Sequence, residues 1–192
     1  MAIKDTAYAS LFDKKDLPYV YRLAEEVRAT HNQDLVTEFN NTLEKKWNDH
    51  KPTIQIGNKD VELLQVSKAD DLVLTVGINF LIDQILGTTV TRWLNLTSGI
   101  GTTAPTIADI GLVSGLVSVD MSLSGWREYA SSSLRFGAIF GESTASGTVT
   151  ECCVVAGTTL LNRNMFSNNP ITHVANVTGY VISSVVEFVP VM

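Results

Sequence analysis

The chain is poor in the residues that usually build reactive centres. It has two cysteines and three histidines in 192 residues, and the histidines, His31, His50 and His173, are scattered. Two cysteines cannot make a zinc site without nearby histidines. Cys152 and Cys153 are adjacent, so on a strand they point to opposite faces, and a bond between them would be strained. The expectation is one cysteine in the core and one outside. A basic run is also lacking: 14 Lys and Arg stand against 20 Asp and Glu, for a net charge of −6. Nucleic-acid binders carry a basic stripe, so that class is disfavoured. The opening "MAIKDTAYASLFDKKD" has no apolar core of a signal peptide. The longest apolar stretch, "LVLTVGINFLIDQIL", is interrupted and too short to span a bilayer. A soluble chain that stays where it is made is expected.

What is present divides unevenly. Most charged residues fall in the first seventy positions, and the remainder is rich in Ser, Thr, Gly and Val. "DLPYVYRLAEEVRATHN" reads as a helix, with Asp16 as cap, Pro18 in the first turn and Val20, Leu23, Ala24 and Val27 at helical spacing. "NQDLVTEFNNTLEKKWNDHKP" reads as a second helix, striped by Leu35, Phe39, Leu43 and Trp47 and stopped by Pro52. The pair forms a hairpin that packs on a partner subunit or on the following sheet. "TIQIGNKDVELLQV" reads as two strands about Gly57-Asn58, and "NFLIDQILG" as a short internal helix closed by Gly87. Strand candidates then follow at short intervals: "TRWLNLT", "GLVSVDMSL", "SLRFGAIF", "GTVTECCVVAG", "TTLLNRNMF" and "GYVISSVVEFVPV". The expected fold is mainly β, an antiparallel β-sandwich of jelly-roll type (residues 53–192) behind an N-terminal helical hairpin or arm (residues 1–52).

Gly99-Ile100-Gly101-Thr102-Thr103-Ala104 matches one form of the dinucleotide fingerprint. A nucleotide site needs a helix directly after the glycines, but Ala104-Pro105 and then "TIADIGL" leave space for one turn. The loop reads instead as a tight strand connector, and no cofactor is expected. Glu142 and Glu151 could form a carboxylate pair of the glycosidase kind, although both flank a Gly/Ser/Thr loop. No Ser lies in G-x-S-x-G. Arg135 and Arg163 sit in apolar strands, where pairing with Glu142, Glu151 or Glu187 is the expected role. Trp126 and Tyr129 in "SGWREYASSS" are the one aromatic cluster suited to a loop that binds ligand or plugs an interface. No catalytic residue, metal ligand or membrane contact is expected.

Taken in order, several segments resemble structural proteins of tailed bacterial and archaeal viruses, of the tail, baseplate or neck type. They are "VLTVGINFLIDQILG", "WLNLTSGIGTTAPTIADIGL", "LRFGAIFGESTASGTVTECCVVAG", "TTLLNRNMFSNNPIT" and "YVISSVVEFVPV". The matching positions are Gly99, Gly101, Thr102, Thr103, Pro105, Gly147, Thr150 and Glu151, then Leu160, Leu161, Arg163, Phe166 and Ile171. The likeness covers Val73 to Val189. Cys152-Cys153-Val154-Val155 departs from it, as does the N-terminal hairpin. The resemblance implies a non-enzymatic sandwich whose task is contact with copies of itself and neighbouring virion proteins. Gly99, Gly101, Thr102, Thr103 and Pro105 would form a structural loop, and Glu151 with Arg163 a structural ion pair. The apolar end "VVEFVPVM" would be buried by a neighbour. A capsid decoration protein and a host-glycan-binding sandwich are the alternatives.

Overall fold

A computed structural model describes residues 2–50, 53–74, 77–79, 94–130 and 132–189. The expected helix at "NFLIDQILG" lies almost wholly outside them. The chain is mainly β, and every strand pairing among the described residues is antiparallel. In chain order the strands are β1 (Ala2–Asp13), β2 (Thr53–Ile56), β3 (Lys59–Val73), β4 (Leu94–Gly99), β5 (Gly115–Asp120) and β6 (Gly125–Ala130). There follow β7 (Ser133–Phe140), β8 (Gly147–Val149), β9 (Glu151–Ala156), β10 (Thr159–Leu160), β11 (Asn162–Met165), β12 (Ile171–His173) and β13 (Thr178–Val189). Helices among the described residues include α1 (Leu17–Thr30), α2 (Gln33–Asp49) and the single turn α3 (Met121–Ser124), and residues 77–79 are helical as well.

Eleven strands form one sheet in the order β5-β4-β9-β11-β3-β1-β13-β7-β6, with β10 on β9 and β2 on β3; β8 and β12 make a separate ribbon. β5 and β6 are the two ends of that order, yet only the four residues of α3 separate them in sequence. A flat sheet would hold its ends about 38 Å apart at ~4.8 Å per strand, whereas one helical turn advances only about 6 Å. The sheet must therefore curl until its edges approach. α3 bridges the gap, with Met121 fully buried.

Curling gives the sheet an inner and an outer face. Alternate residues of β1, β7, β9 and β13 line the inner one: Ala7 and Ala9, Phe136 and Ala138, Cys152 and Val154, Tyr180 and Ile182. Phe140 stacks on Tyr180 at 4.5 Å between ring centres. The outer face of β1, β3, β7 and β13 presents Tyr8, Phe12, Val61, Leu63, Ile139 and Val181 to α1 and α2.

Local chemistry explains the helices. Asn32 caps α2 by accepting the Asp34 amide at 3.0 Å. His31 takes the left-handed conformation (φ 51°) that ends α1, its amide donating to Val27 O. Asp16 occupies the cap position of α1, but its side chain makes no capping bond; Pro18 fixes the first turn instead. Of the expected α2 stripe, Phe39 and Leu43 are buried, with Val36 and Asn40 beside them, while Leu35 and Trp47 remain partly exposed.

Three expectations change here. The first fifty residues share cores with the rest of the chain, because β1 lies between β3 and β13 and the helices cover the sheet. The C-terminal segment is no free end as far as Val189, since β13 pairs with both β1 and β7 and Val186 is buried, although Val189 is 41% exposed. "GLVSVDMSL" is a strand only as far as Asp120, where the carboxylate accepts the Ser122 amide at 2.8 Å and turns the chain into α3.

Candidate functional site

The expected loop and the expected ion pair form one site. Strand alternation sends Cys152 and Val154 into the inner core and turns Glu151 and Cys153 to the other face. On neighbouring β11, Arg163 lies beside Glu151. Their exposures are 1% and 0%. Two charges buried this far require each other, because desolvation of either alone is very costly. Arg163 Nε and Nη2 both donate to Glu151 Oε2 at 2.9 Å. The carboxylate accepts three amides as well: Gly101 at 2.9 Å, Ser114 at 3.0 Å and Val113 at 3.4 Å.

The guanidinium holds the same loop from its other side. Nη2 donates to Thr103 O at 2.7 Å, and Nη1 pairs with Asp109. Asp109 also accepts the Thr106 hydroxyl at 2.7 Å and its amide at 3.0 Å. The Thr106 bonds, with Arg163 adding, hold the Asp109 carboxyl below its ordinary range. Thr150 completes the fastening: its hydroxyl donates to Gly101 O at 2.6 Å and its amide to Gly99 O at 3.0 Å.

This geometry explains the two glycines without a nucleotide. A Cβ on Gly101 would stand 2.3 Å from Glu151 Oε1, and one on Gly99 would stand 2.7 Å from the same oxygen. The pattern admits a buried carboxylate to the backbone rather than a pyrophosphate. No helix follows the glycines. Thr102 is exposed and Pro105 half-buried on the outer run of the loop. One guanidinium and three amides occupy the Glu151 carboxylate, so the arrangement anchors the segment Ile100–Ser114. That segment carries Ile107 at 56% and Ile110 at 81% exposure.

Other sequence candidates fall elsewhere. Trp126 is 1% exposed and packs edge-on against Phe39 with ring centres 5.5 Å apart, so it is part of the helix–sheet core and no exposed ligand platform. Gly137 makes room for it: a Cβ there would lie 2.1 Å from the indole. Tyr129 is in β6, but its side chain lies outside the described residues. Glu142 is exposed and meets Lys14 at 3.6 Å, so it and Glu151 have separate partners. Arg135 donates to Gln33 O and Thr37 Oγ1 on α2 instead of pairing as expected. Both cysteines are buried, in place of one inside and one outside, and lie on opposite faces without forming a disulfide. Burial, with the Glu151 charge adding, pushes the Cys153 thiol up to about 12.

One buried cluster escaped the sequence reading. Asp5 on β1 is 1% exposed and its Oδ2 accepts Asn162 Nδ2 at 2.8 Å and Asn164 Nδ2 at 2.9 Å. Ser184 on β13 donates to its Oδ1 at 3.2 Å, and Asn162 Oδ1 accepts the Val154 amide at 2.7 Å. The signal was present in "NRN", three polar residues in succession on a strand between apolar ones. Here Asn162 and Asn164 meet Asp5 while Arg163 meets Glu151.

Among the described residues no three His, Cys, Asp or Glu group closely enough to hold a metal ion. None of their helices is long and apolar enough to cross a membrane. No protein-family model matches the chain, and neither a curated protein nor a solved structure does.

Proposed function

We propose that the chain is a non-enzymatic structural subunit of a tailed-virus particle, a tail, baseplate or neck component made in the host cytoplasm and assembled with copies of itself and neighbouring virion proteins. One observation carries the reading. The segment Ile100–Ser114 is fastened at Gly101, Thr103, Asp109, Val113 and Ser114 to a buried ion pair, yet it holds Ile100, Ile107, Ile110 and Val113 at 45% to 81% exposure. Scattered exposed aliphatics are ordinary, but a set of them on one rigidly held loop is the form of a contact surface. Immobilising that loop beforehand lowers the ordering cost of association. The resemblance through Gly99, Gly101, Glu151 and Arg163 agrees with the same assignment. In this reading the two halves of the curled sheet, facing each other across one core, are the expected jelly-roll-like sandwich. The glycan-binding alternative loses its main support with the burial of Trp126.

The test is the native mass of the purified chain and of an Ile107→Asp/Ile110→Asp variant. The reading predicts an oligomer that the double substitution reduces to a folded monomer, with an unchanged circular dichroism spectrum because both side chains are exposed on the single chain. An oligomer of identical size in both proteins would remove the loop from the interface.

A further inference from the structure

Outside the charge cluster, α2 and the outer face of the sheet enclose a cleft of about 260 Å³, lined by Lys4 and Tyr8 of β1, Asn40 and Glu44 of α2, Arg135 of β7 and Glu187 of β13, among others. That volume holds on the order of nine waters, the size of a monosaccharide or a smaller ligand. Two features separate it from an ordinary gap between helix and sheet. Asn40 sits on the sheet-facing stripe of α2, 8% exposed, where an apolar residue would cost less to bury. Its Oδ1 accepts the Ser183 hydroxyl at 2.6 Å, so its NH2 is the end left over, and Nδ2 has no partner among the described residues. Arg135 repeats the pattern. Its Nη1 is held by Gln33 O and Thr37 Oγ1, while its buried Nε has no partner among the described residues.

An unsatisfied buried donor costs about 1–3 kcal/mol, and the two residues that carry one each, Asn40 and Arg135, both belong to the wall of this cleft. Both are donors, so the missing partner is an acceptor. Three cations, Lys4, Lys68 and Arg135, line the cleft against two carboxylates. One of those, Glu44, is engaged by Lys68 at 3.2 Å and by the Tyr8 hydroxyl. The other, Glu187, lies across the strand pair from Lys4.

We propose that this cleft is a binding site for a small oxyanion-bearing ligand, a carboxylate or phosphate group, whose oxygens accept from Asn40 Nδ2 and Arg135 Nε while Lys4 and Lys68 supply positive field. The site is separate from the Ile107/Ile110 surface, and its occupancy does not depend on assembly.

Titration calorimetry on the full chain at low ionic strength tests it with three probes: glucuronate, inorganic phosphate, and glucose as the neutral ring control. Binding of glucuronate, of phosphate, or of both supports the site, and the comparison assigns the source of the oxyanion. Glucose should bind at least about tenfold more weakly than glucuronate, the worth of one charge-assisted hydrogen bond. Asn40→Asp keeps the acceptor for Ser183 but replaces the donor with a negative oxygen, so it should abolish binding of both anions. Lys4→Gln, at an exposed position, should weaken binding severalfold without touching the core, and circular dichroism of both variants reports the fold. No heat from either anion at tens of millimolar would overturn the proposal. So would anion binding that survives Asn40→Asp in a folded protein.

Discussion

Replacing Arg163 with Met keeps most of the side-chain volume and removes the charge that Glu151 faces. Glu151 would then be an ionised carboxylate at 0% exposure, with only the amides of Gly101, Ser114 and Val113 for company. Thr103 O and Asp109 would lose their donor as well. Breaking one partner of a buried pair costs about 3–5 kcal/mol, a large part of the roughly 5–15 kcal/mol that holds a domain together. With a urea dependence of about 2.5 kcal/mol per molar for a chain of this size, the unfolding midpoint should fall by about 1–2 M. The loop Ile100–Ser114 should also become the first site of proteolysis, since its bonds to Arg163 through Thr103 and Asp109 are gone. A Glu151→Gln/Arg163→Met double variant neutralises both charges and keeps a carbonyl oxygen for the amides. It should lose less than Arg163→Met alone, because the cost lies chiefly in the stranded charge. A midpoint shift in Arg163→Met below about 0.2 M, the size of a surface substitution, would refute the claim that the pair anchors the loop. So would a double variant that simply adds the two single losses.

Three further outcomes are expected. The Asp109 carboxyl is held below its ordinary value of 3.8 by the Thr106 hydrogen bonds and by Arg163, so its contribution is complete above that value and lost as pH falls through the lower folded one. Proteolysis within Ile100–Ser114 should accelerate below pH 3.8, and an Asp109→Asn variant should lack that acid step. Gly137→Ala places a Cβ 2.1 Å from the Trp126 indole; a loss of about 1–3 kcal/mol and an altered tryptophan emission are expected, and an unchanged protein would contradict the packing. Both thiols are buried and the Cys153 thiol is pushed up to about 12, so a disulfide reagent at pH 8 should label neither until urea unfolds the chain, and then both.

The parts of the fold legible in the sequence are those where one physical signal acts alone. The two helices carry a 3.6-residue stripe with Pro18 and Asn32 at their starts, and Gly57 marks its hairpin through a positive φ of 59°. β1 carries no such signal. From Ala7 to Phe12 this central strand is buried on both faces and has no polar face to alternate with, and Ala7 and Ala9 are of low strand propensity. β6 reads as a loop because Gly, Arg, Glu and Ala make up most of it, and Trp126 and Tyr129 therefore read as a loop cluster. Only the pairing with β7 and the contact with Phe39 reveal Trp126 as core.

The site was legible to a similar degree. Charged residues within apolar strands announced an ion pair, and a Gly-rich run announced a tight loop. That the loop closes over the pair depends on β9 and β11 being neighbours, which is a long-range fact. The Asp5 network joins β1, β11 and β13 across 157 to 179 positions of sequence, and no local pattern encodes it. Deleting the first fifty residues would remove β1, and deleting Val185–Met192 would remove the last five residues of β13, so either truncation would disrupt the sheet itself. Point changes at Ile107 and Ile110 avoid that.

The most direct test of the central claim is quantitative mass spectrometry on density-purified virus particles from the source culture. The account predicts this chain at a fixed copy number per particle, a few to some tens for a tail, baseplate or neck ring. Hundreds of copies would move it to the capsid surface as a decoration protein. Its absence from intact particles would contradict the virion assignment altogether.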